Sequence, residues 1–322
     1  MDIKLHMNSN FLWQDHSAYD DTTAAAVAKI NPSKFIINVD GPGSDSSNPQ
    51  CGPDIDQLTS FVYKLVSEGF TGSLVMHPDV TKGDYDHDWN GKGNLPIRST
   101  TEAYMSYCDY FQEMNAALSK KSLPTFSELL IETQSSYIPK TPEMFANIKK
   151  YLTERLGQQV KLSSTGDWNI DRNDLGLDCV YPQLYDMAYV DSALGGPNAP
   201  SKARADLLAE HISAIVLKKP AMLNDPNVFF TFSYCFNDKD APVFGQPPRI
   251  WPQDLFIYFI KQFETAISKY STSCNTGVWH CSTLLSSWPI TGGKIIKSNK
   301  IKYSLLSIIT APILYYLYKV FV

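Results

Sequence analysis

Apolar and polar positions along the chain follow two periods in turn. Short apolar or alternating runs occur at Ile3–Phe11, Lys34–Val39, Ser73–Met76, Phe126–Glu132, Gln159–Ser164, Cys179–Leu184, Val228–Tyr234 and Thr276–Cys281. Their length and their Val, Ile and Phe content predict strands. Between them apolar residues recur at helical spacing. In Ile55–Glu68, for example, Leu58, Phe61, Val62, Leu65 and Val66 fall on one side, and Gly69 supplies a stop. Further helices are predicted at Thr22–Ile30, Glu102–Lys120, Lys202–Leu217 and Pro252–Tyr270. Another opens on Thr141-Pro142-Glu143, with a capping hydroxyl and a proline in the first turn, and runs to Leu156 before Gly157. The stretch after the fifth strand, GDWNIDRNDLGLD, carries no helical pattern.

Strands alternating with helices at this pace predict a parallel sheet with helices outside it. Eight such units predict an α/β fold of the (β/α)8 TIM-barrel kind over residues 1–290. An open doubly wound sheet competes, but no strand leads into a glycine-rich phosphate turn of the G-x-G-x-x-G form. In a barrel the ligand lies at the C-terminal ends of the strands, so the residues there are the candidates for chemistry. They include Asn8 and Asn10, Asp40, His77 and Asp79, Glu132 and Gln134, Asp167 and Trp168, Tyr185 and Asp186, Asn237 and Asp238, and Trp279 and His280. Turn-forming loops collect Asp and Asn for local reasons as well, so part of this set is structural. Glu132 differs, because it closes the apolar run Leu129-Leu130-Ile131, where burial would raise its pKa and suit it to proton donation.

Three segments carry a family resemblance. The fourth strand reads Thr125-Phe-Ser-Glu128-Leu-Leu130-Ile-Glu132, the sixth Gln183-Leu184-Tyr185-Asp186, and the eighth Gly277-Val278-Trp279. In order and position they resemble glycoside hydrolase family 18, the chitinase-like barrels, whose corresponding strands carry D-x-x-D-x-D-x-E, M-x-Y-D and a tryptophan. The resemblance implies Glu132 as general acid, Tyr185 and Asp186 as the substrate-orienting pair, and Trp279 as a stacking platform. Asp40, Gln134, Asp167 and Gln183 would then be further sugar contacts at the strand ends. The fourth strand departs from the pattern. Leu130 stands where the family has the aspartate that supports attack by the substrate acetamido group, and Thr125 and Glu128 replace the two earlier aspartates. Loss of such electrostatic support is worth a few kcal/mol at a transition state. Two readings therefore stay open. One is a hydrolase acting on a β-linked glycan, with N-acetylated sugars within its scope. The other is a catalytically inactive glycan-binding or structural barrel tethered to a membrane.

Composition narrows the alternatives. A net charge of −5 offers no basic field for nucleic acid. Six cysteines without any C-x-x-C pair fit neither a disulfide scaffold nor a zinc site, and the N-terminus has no signal-peptide pattern. Reduced thiols in a cytosol-facing domain are expected. His77 and His280 could ligate a metal with Asp40 or Asp186, but neither H-x-H nor H-E-x-x-H occurs, so no metal and no cofactor is expected. Asp86, Asp88, Asn90 and Gly91 match the opening of a calcium loop, yet Ile97 stands where the bidentate acid belongs.

A basic linker, 291–302, precedes the apolar stretch Tyr303–Val322, which is long enough to span a bilayer and is interrupted only by Pro312 and Lys319. With Lys294, Lys297, Lys300 and Lys302 on its near side, the barrel would face the cytosol on a single-pass C-terminal anchor. The competing reading makes this stretch the barrel's last helix, though it lacks the polar face of one.

Overall fold

A computed structural model describes residues 7–13, 19–40, 55–79, 100–132, 141–157, 160–166, 170, 172–184, 201–233, 251–270 and 274–279. Eight strands lie among them: β1 (Met7–Trp13), β2 (Lys34–Asp40), β3 (Ser73–Asp79), β4 (Phe126–Glu132), β5 (Lys161–Gly166), β6 (Cys179–Pro182), β7 (Phe229–Ser233) and β8 (Cys274–Trp279). The helices are α1 (Asp21–Ile30), α2 (Ile55–Ser67), α3 (Thr100–Lys120), α4 (Pro142–Leu156), α5 (Arg172–Leu175), α6 (Lys202–Val216), α7 (Pro220–Leu223) and α8 (Gln253–Ile267). The chain is therefore α/β. It divides into two compact units, Leu12–Tyr181 and a second made of Met1–Phe11 with Pro182–Val322.

In the unit Leu12–Tyr181, β2 to β6 lie side by side in chain order. The pairs β2–β3, β3–β4 and β4–β5 are parallel, as crossover helices between strands require. Helix ends follow their local chemistry. The Asp20 carboxylate caps α1 by accepting from the Thr23 backbone N–H at 2.7 Å. Thr141 caps α4 through Met144 N–H at 3.2 Å. Asn31 and Gly157 end α1 and α4 in the left-handed region, at φ 51° and 63°. Helix α2 buries Leu58, Phe61, Val62 and Leu65, but Val66 lies at the edge of that stripe and is exposed. A single turn, α5, forms where the sequence shows no helical pattern.

Strand β4 enters the sheet through an irregularity. Leu74 pairs with Phe126 and Val75 with Glu128, so Ser127 has no partner of its own in that register. The extra residue interrupts the alternation of faces. Phe126 packs on the helix side, 6.2 Å from the ring of Phe111 on α3, and Asn115 of α3 grips its backbone N–H and C=O at 2.8 and 3.1 Å. Glu128 instead reaches the opposite, inner face, where side chains of β2, β5 and β6 meet it.

In the second unit β7 and β8 are parallel, with Ser233 level with Trp279. Gln183, just past β6, bridges to Thr231 of β7, and Leu184 N–H bonds the Thr231 carbonyl at 2.8 Å. Phe232 packs edge-on against Phe259 and Phe263 of α8. Trp251 stacks on Phe259 with the ring planes 7° apart. Among the described residues no helix is long and apolar enough to cross a membrane. The stretch Tyr303–Val322 and the linker 291–302 lie outside them.

One position tests how tightly β2 and β3 are joined. A Cβ added to Gly72, just before β3, would meet the Pro32 carbonyl oxygen at 2.2 Å. That oxygen belongs to the backbone leading into β2 and cannot swing aside. Gly72→Ala should destabilise the protein by about 1–3 kcal/mol. Urea unfolding followed by circular dichroism measures it, and an unchanged midpoint would contradict the close approach.

Candidate functional site

The strand ends of the unit Leu12–Tyr181 gather several of the expected residues. Asp40 closes β2 and Asp79 closes β3, and the two are level in the parallel register. Met76 pairs with Leu129, and carrying that register along both strands brings position 79 level with position 132. Glu132 closes β4 and is level with Thr165 of β5. Acidic positions therefore end three neighbouring strands along one edge. In the other unit Trp279 closes β8, and Gln183 is half-buried beside β7. Gln134, Asp167, Tyr185 and Asp186 lie outside the described residues, as do His280 and the acidic stretch at 84–91.

Beneath the ends of β2 and β3 sits a buried pair. His77 Nδ1 is 2.9 Å from Asn38 Oδ1, and both residues are buried. In a neutral imidazole the Nδ1–H donates to that amide oxygen, which fixes the ring's orientation. The Asn38 backbone carbonyl in turn accepts from the Tyr19 hydroxyl. In the same register position 130 is level with His77, and Leu130 there is fully buried and level with Ser163 of β5. The position that carries an aspartate in the family the sequence resembles is thus a packed apolar one.

Deeper on the inner face lies a polar cluster that sequence reasoning did not find. Glu128 is 1% exposed as a residue, yet both oxygens of its carboxylate are engaged. Lys34 Nζ donates to Oε2 at 2.6 Å. Oε1 accepts from the Tyr181 hydroxyl at 2.7 Å and from the Ser163 hydroxyl. Lys34 also donates to the Tyr181 oxygen at 2.8 Å and lies 3.6 Å from Cys179 Sγ. Burial, with the Glu128 charge second, pushes the Tyr181 phenol well above its ordinary pKa of 10. Tyr181 therefore remains a proton donor across the physiological range. The same two causes, in the same order, raise the Cys179 thiol. Only the alternation of β2 could have pointed here: period two puts Lys34, Ile36, Asn38 and Asp40 on one face, so the lysine opening an apolar run faces inward.

Among the described residues no group of three or more His, Cys, Asp or Glu side chains could hold a metal ion.

No family model matches the chain, and no curated protein matches it. Solved structures do resemble it. One is a form of the xylanase and α-amylase inhibitor protein, XAIP-III, 12% identical, with 86% of this chain and 94% of that one covered at a TM-score of 0.50. Another is XAIP-II from Scadoxus multiflorus, 11% identical, covering 84% and 92% at a TM-score of 0.50. A GH113 β-1,4-mannanase is 12% identical, covering 84% and 87% at a TM-score of 0.45. The likeness is one of fold. This chain has the α/β fold of parallel strands found in its TIM-barrel neighbours.

The cluster's energetics can be checked directly. Lys34→Met would leave the Glu128 carboxylate buried without its cation, a change that costs about 3–5 kcal/mol. Adding Glu128→Leu, which removes the stranded charge, should recover part of the loss. Denaturant midpoints of the two variants and the wild type measure both effects, and a Lys34→Met midpoint equal to wild type would contradict the pairing.

Proposed function

We propose that this protein is a glycoside hydrolase-like (β/α)8 barrel that acts on a β-linked glycan at its strand ends, with Glu132 as general acid. The observation that supports this best is the placement of Glu132 as the last residue of β4, a strand whose Glu128 is held by three side chains, one each from β2, β5 and β6. An acid on a rigid element can be held within the fraction of an ångström that proton transfer to a glycosidic oxygen requires. In this reading Tyr185 and Asp186 orient the sugar and Trp279 stacks on its apolar face. Asp40, Gln134, Asp167 and Gln183 bond its hydroxyls. The family 18-like character of the site rests on these residue matches.

A second reading has its own support. Leu130 is fully buried where the family's substrate-assisted route needs a carboxylate, and one fold hosts both enzymes and non-enzymes. The barrel would then bind glycans without cleaving them.

The two readings separate on one experiment. Wild type and Glu132→Gln are assayed for hydrolysis of aryl β-glycosides and chito-oligosaccharides, and for sugar binding by calorimetry. Glu132→Gln should lower turnover by roughly 100-fold or more while binding persists. Equal rates would remove Glu132 from the mechanism. Binding without hydrolysis by the wild type would establish the inactive barrel.

We also propose that Tyr303–Val322 spans a membrane, with the lysine-rich flank and the barrel on the cytosolic side. The chain truncated after residue 290 should remain in the supernatant after ultracentrifugation of lysed cells, and the full chain should sediment with membranes. A full chain recovered in the supernatant without detergent would refute the span.

A further inference from the structure

The cluster around Glu128 takes no part in the glycan chemistry proposed above, and its geometry suggests chemistry of its own. We propose that Lys34 and Glu128 condense into an intramolecular isopeptide bond, joining Nζ to the side-chain carboxyl carbon and so linking β2 covalently to β4. The inference does not depend on the glycan reading.

Three features of the site support it. The reactants are already together: Nζ lies 2.6 Å from Oε2, one bond from the carbon it would attack. Holding amine and acid in this way replaces an encounter in solution with a short local motion. The second feature is the pair of donors on the other oxygen. Tyr181 and Ser163 both donate to Oε1, the atom on which negative charge grows when the amine adds. Donors fixed in place before reaction stabilise such an oxyanion strongly in a dry site. The third is burial. The Lys34 side chain is 12% exposed and that of Glu128 2%. Two charges kept out of water carry a large desolvation penalty, and a neutral amide abolishes both. Condensation that is unfavourable in bulk water is favoured in such an interior.

The step balances without any co-reactant. The Lys34 ammonium passes a proton to Oε2 across their hydrogen bond, leaving a neutral amine and a carboxylic acid. The nitrogen lone pair attacks the carboxyl carbon, and the C–N bond forms as Oε1 takes the negative charge. The nitrogen then gives up a second proton to the Oε2 hydroxyl, the C–Oε2 bond breaks, and water leaves. Ammonium plus carboxylate thus become amide plus water, with no change of oxidation state. Oε1 remains as the amide carbonyl oxygen, still accepting from Tyr181 and Ser163. The new bond would close the chain from position 34 to position 128, constraining the unfolded state as a disulfide across that span does.

Intact mass spectrometry of the full chain in denaturing solvent tests the proposal. The expected mass is lower than the sequence mass by one water. A tryptic digest should yield a branched peptide joining the segments around Lys34 and Glu128, with no cleavage after Lys34. A mass equal to the sequence, with Lys34 cleaved normally, would overturn it and leave an ordinary buried ion pair. Lys34→Arg keeps the cation but lacks the amine, so it should show the full sequence mass. Tyr181→Phe and Ser163→Ala keep both reactants and remove one donor each, so each should contain a mixture of linked and unlinked chains. Full linkage in both would contradict the role given to the donors, and the wild-type mass decides the bond itself even where a variant does not fold.

Discussion

The buried contact between Lys34 and Glu128, which forms as an ion pair before any condensation, is the constraint around which the unit Leu12–Tyr181 is arranged. A carboxylate buried this deeply survives only if its charge is balanced and its oxygens are bonded. Here the cation comes from β2, one hydroxyl from β5 and another from β6, while β3 passes between β2 and β4. A slip of one residue in any of these strands would turn a partner to the other face and strand the charge. The pair therefore acts less as a source of net stability than as a penalty on every wrong register.

That arrangement depends on the irregular pairing at Ser127. Without the extra residue, Phe126 and Glu128 would share a face, and either the aromatic ring would leave α3 or the carboxylate would point among the helices. Asn115 holds the backbone of Phe126 from the helix side, and Ser127 reaches the Leu74 carbonyl at 3.3 Å. The same shift sets the alternation of the rest of β4: Leu129 and Ile131 follow on the helix side, while Leu130 follows Glu128 on the inner face. A polar, fully bonded cluster therefore lies deep on the inner face, an apolar Leu130 above it, and acidic positions at the edge where Asp40, Asp79 and Glu132 end their strands. Rigid packing below and polar residues at the rim are the division of labour that lets strand ends carry chemistry in this fold.

Much of the architecture was legible in the sequence. The apolar runs of β2 and β4, the stripe of α2, the Thr141 cap with Pro142, and the Gly157 stop all appear where local pattern puts them, because propensity, capping and periodicity are properties of neighbouring residues. The edges of β5 and β8 shift by two residues or so from the apolar runs, since ladder bonds to adjacent strands, not hydrophobicity, set where a strand ends. The single turn α5 was not legible, because four residues are too few to show a period.

Local pattern alone was enough for the order of the strands and of the six longer helices, for the parallel α/β class, and for Asp40, Glu132 and Trp279 at the ends of their strands. Each of these follows from short-range chemistry or from the one-dimensional order of the elements. Which face of β4 carries Glu128, and what it meets there, emerges only when the strands are assembled. Lys34, Glu128, Ser163 and Tyr181 are separated by 94, 35 and 53 positions along the pairs that bond them, and no local pattern relates residues so far apart. Their meeting depends on one unpaired serine in a strand register, and on the electrostatic cost of burying a charge, which only a complete set of partners can offset.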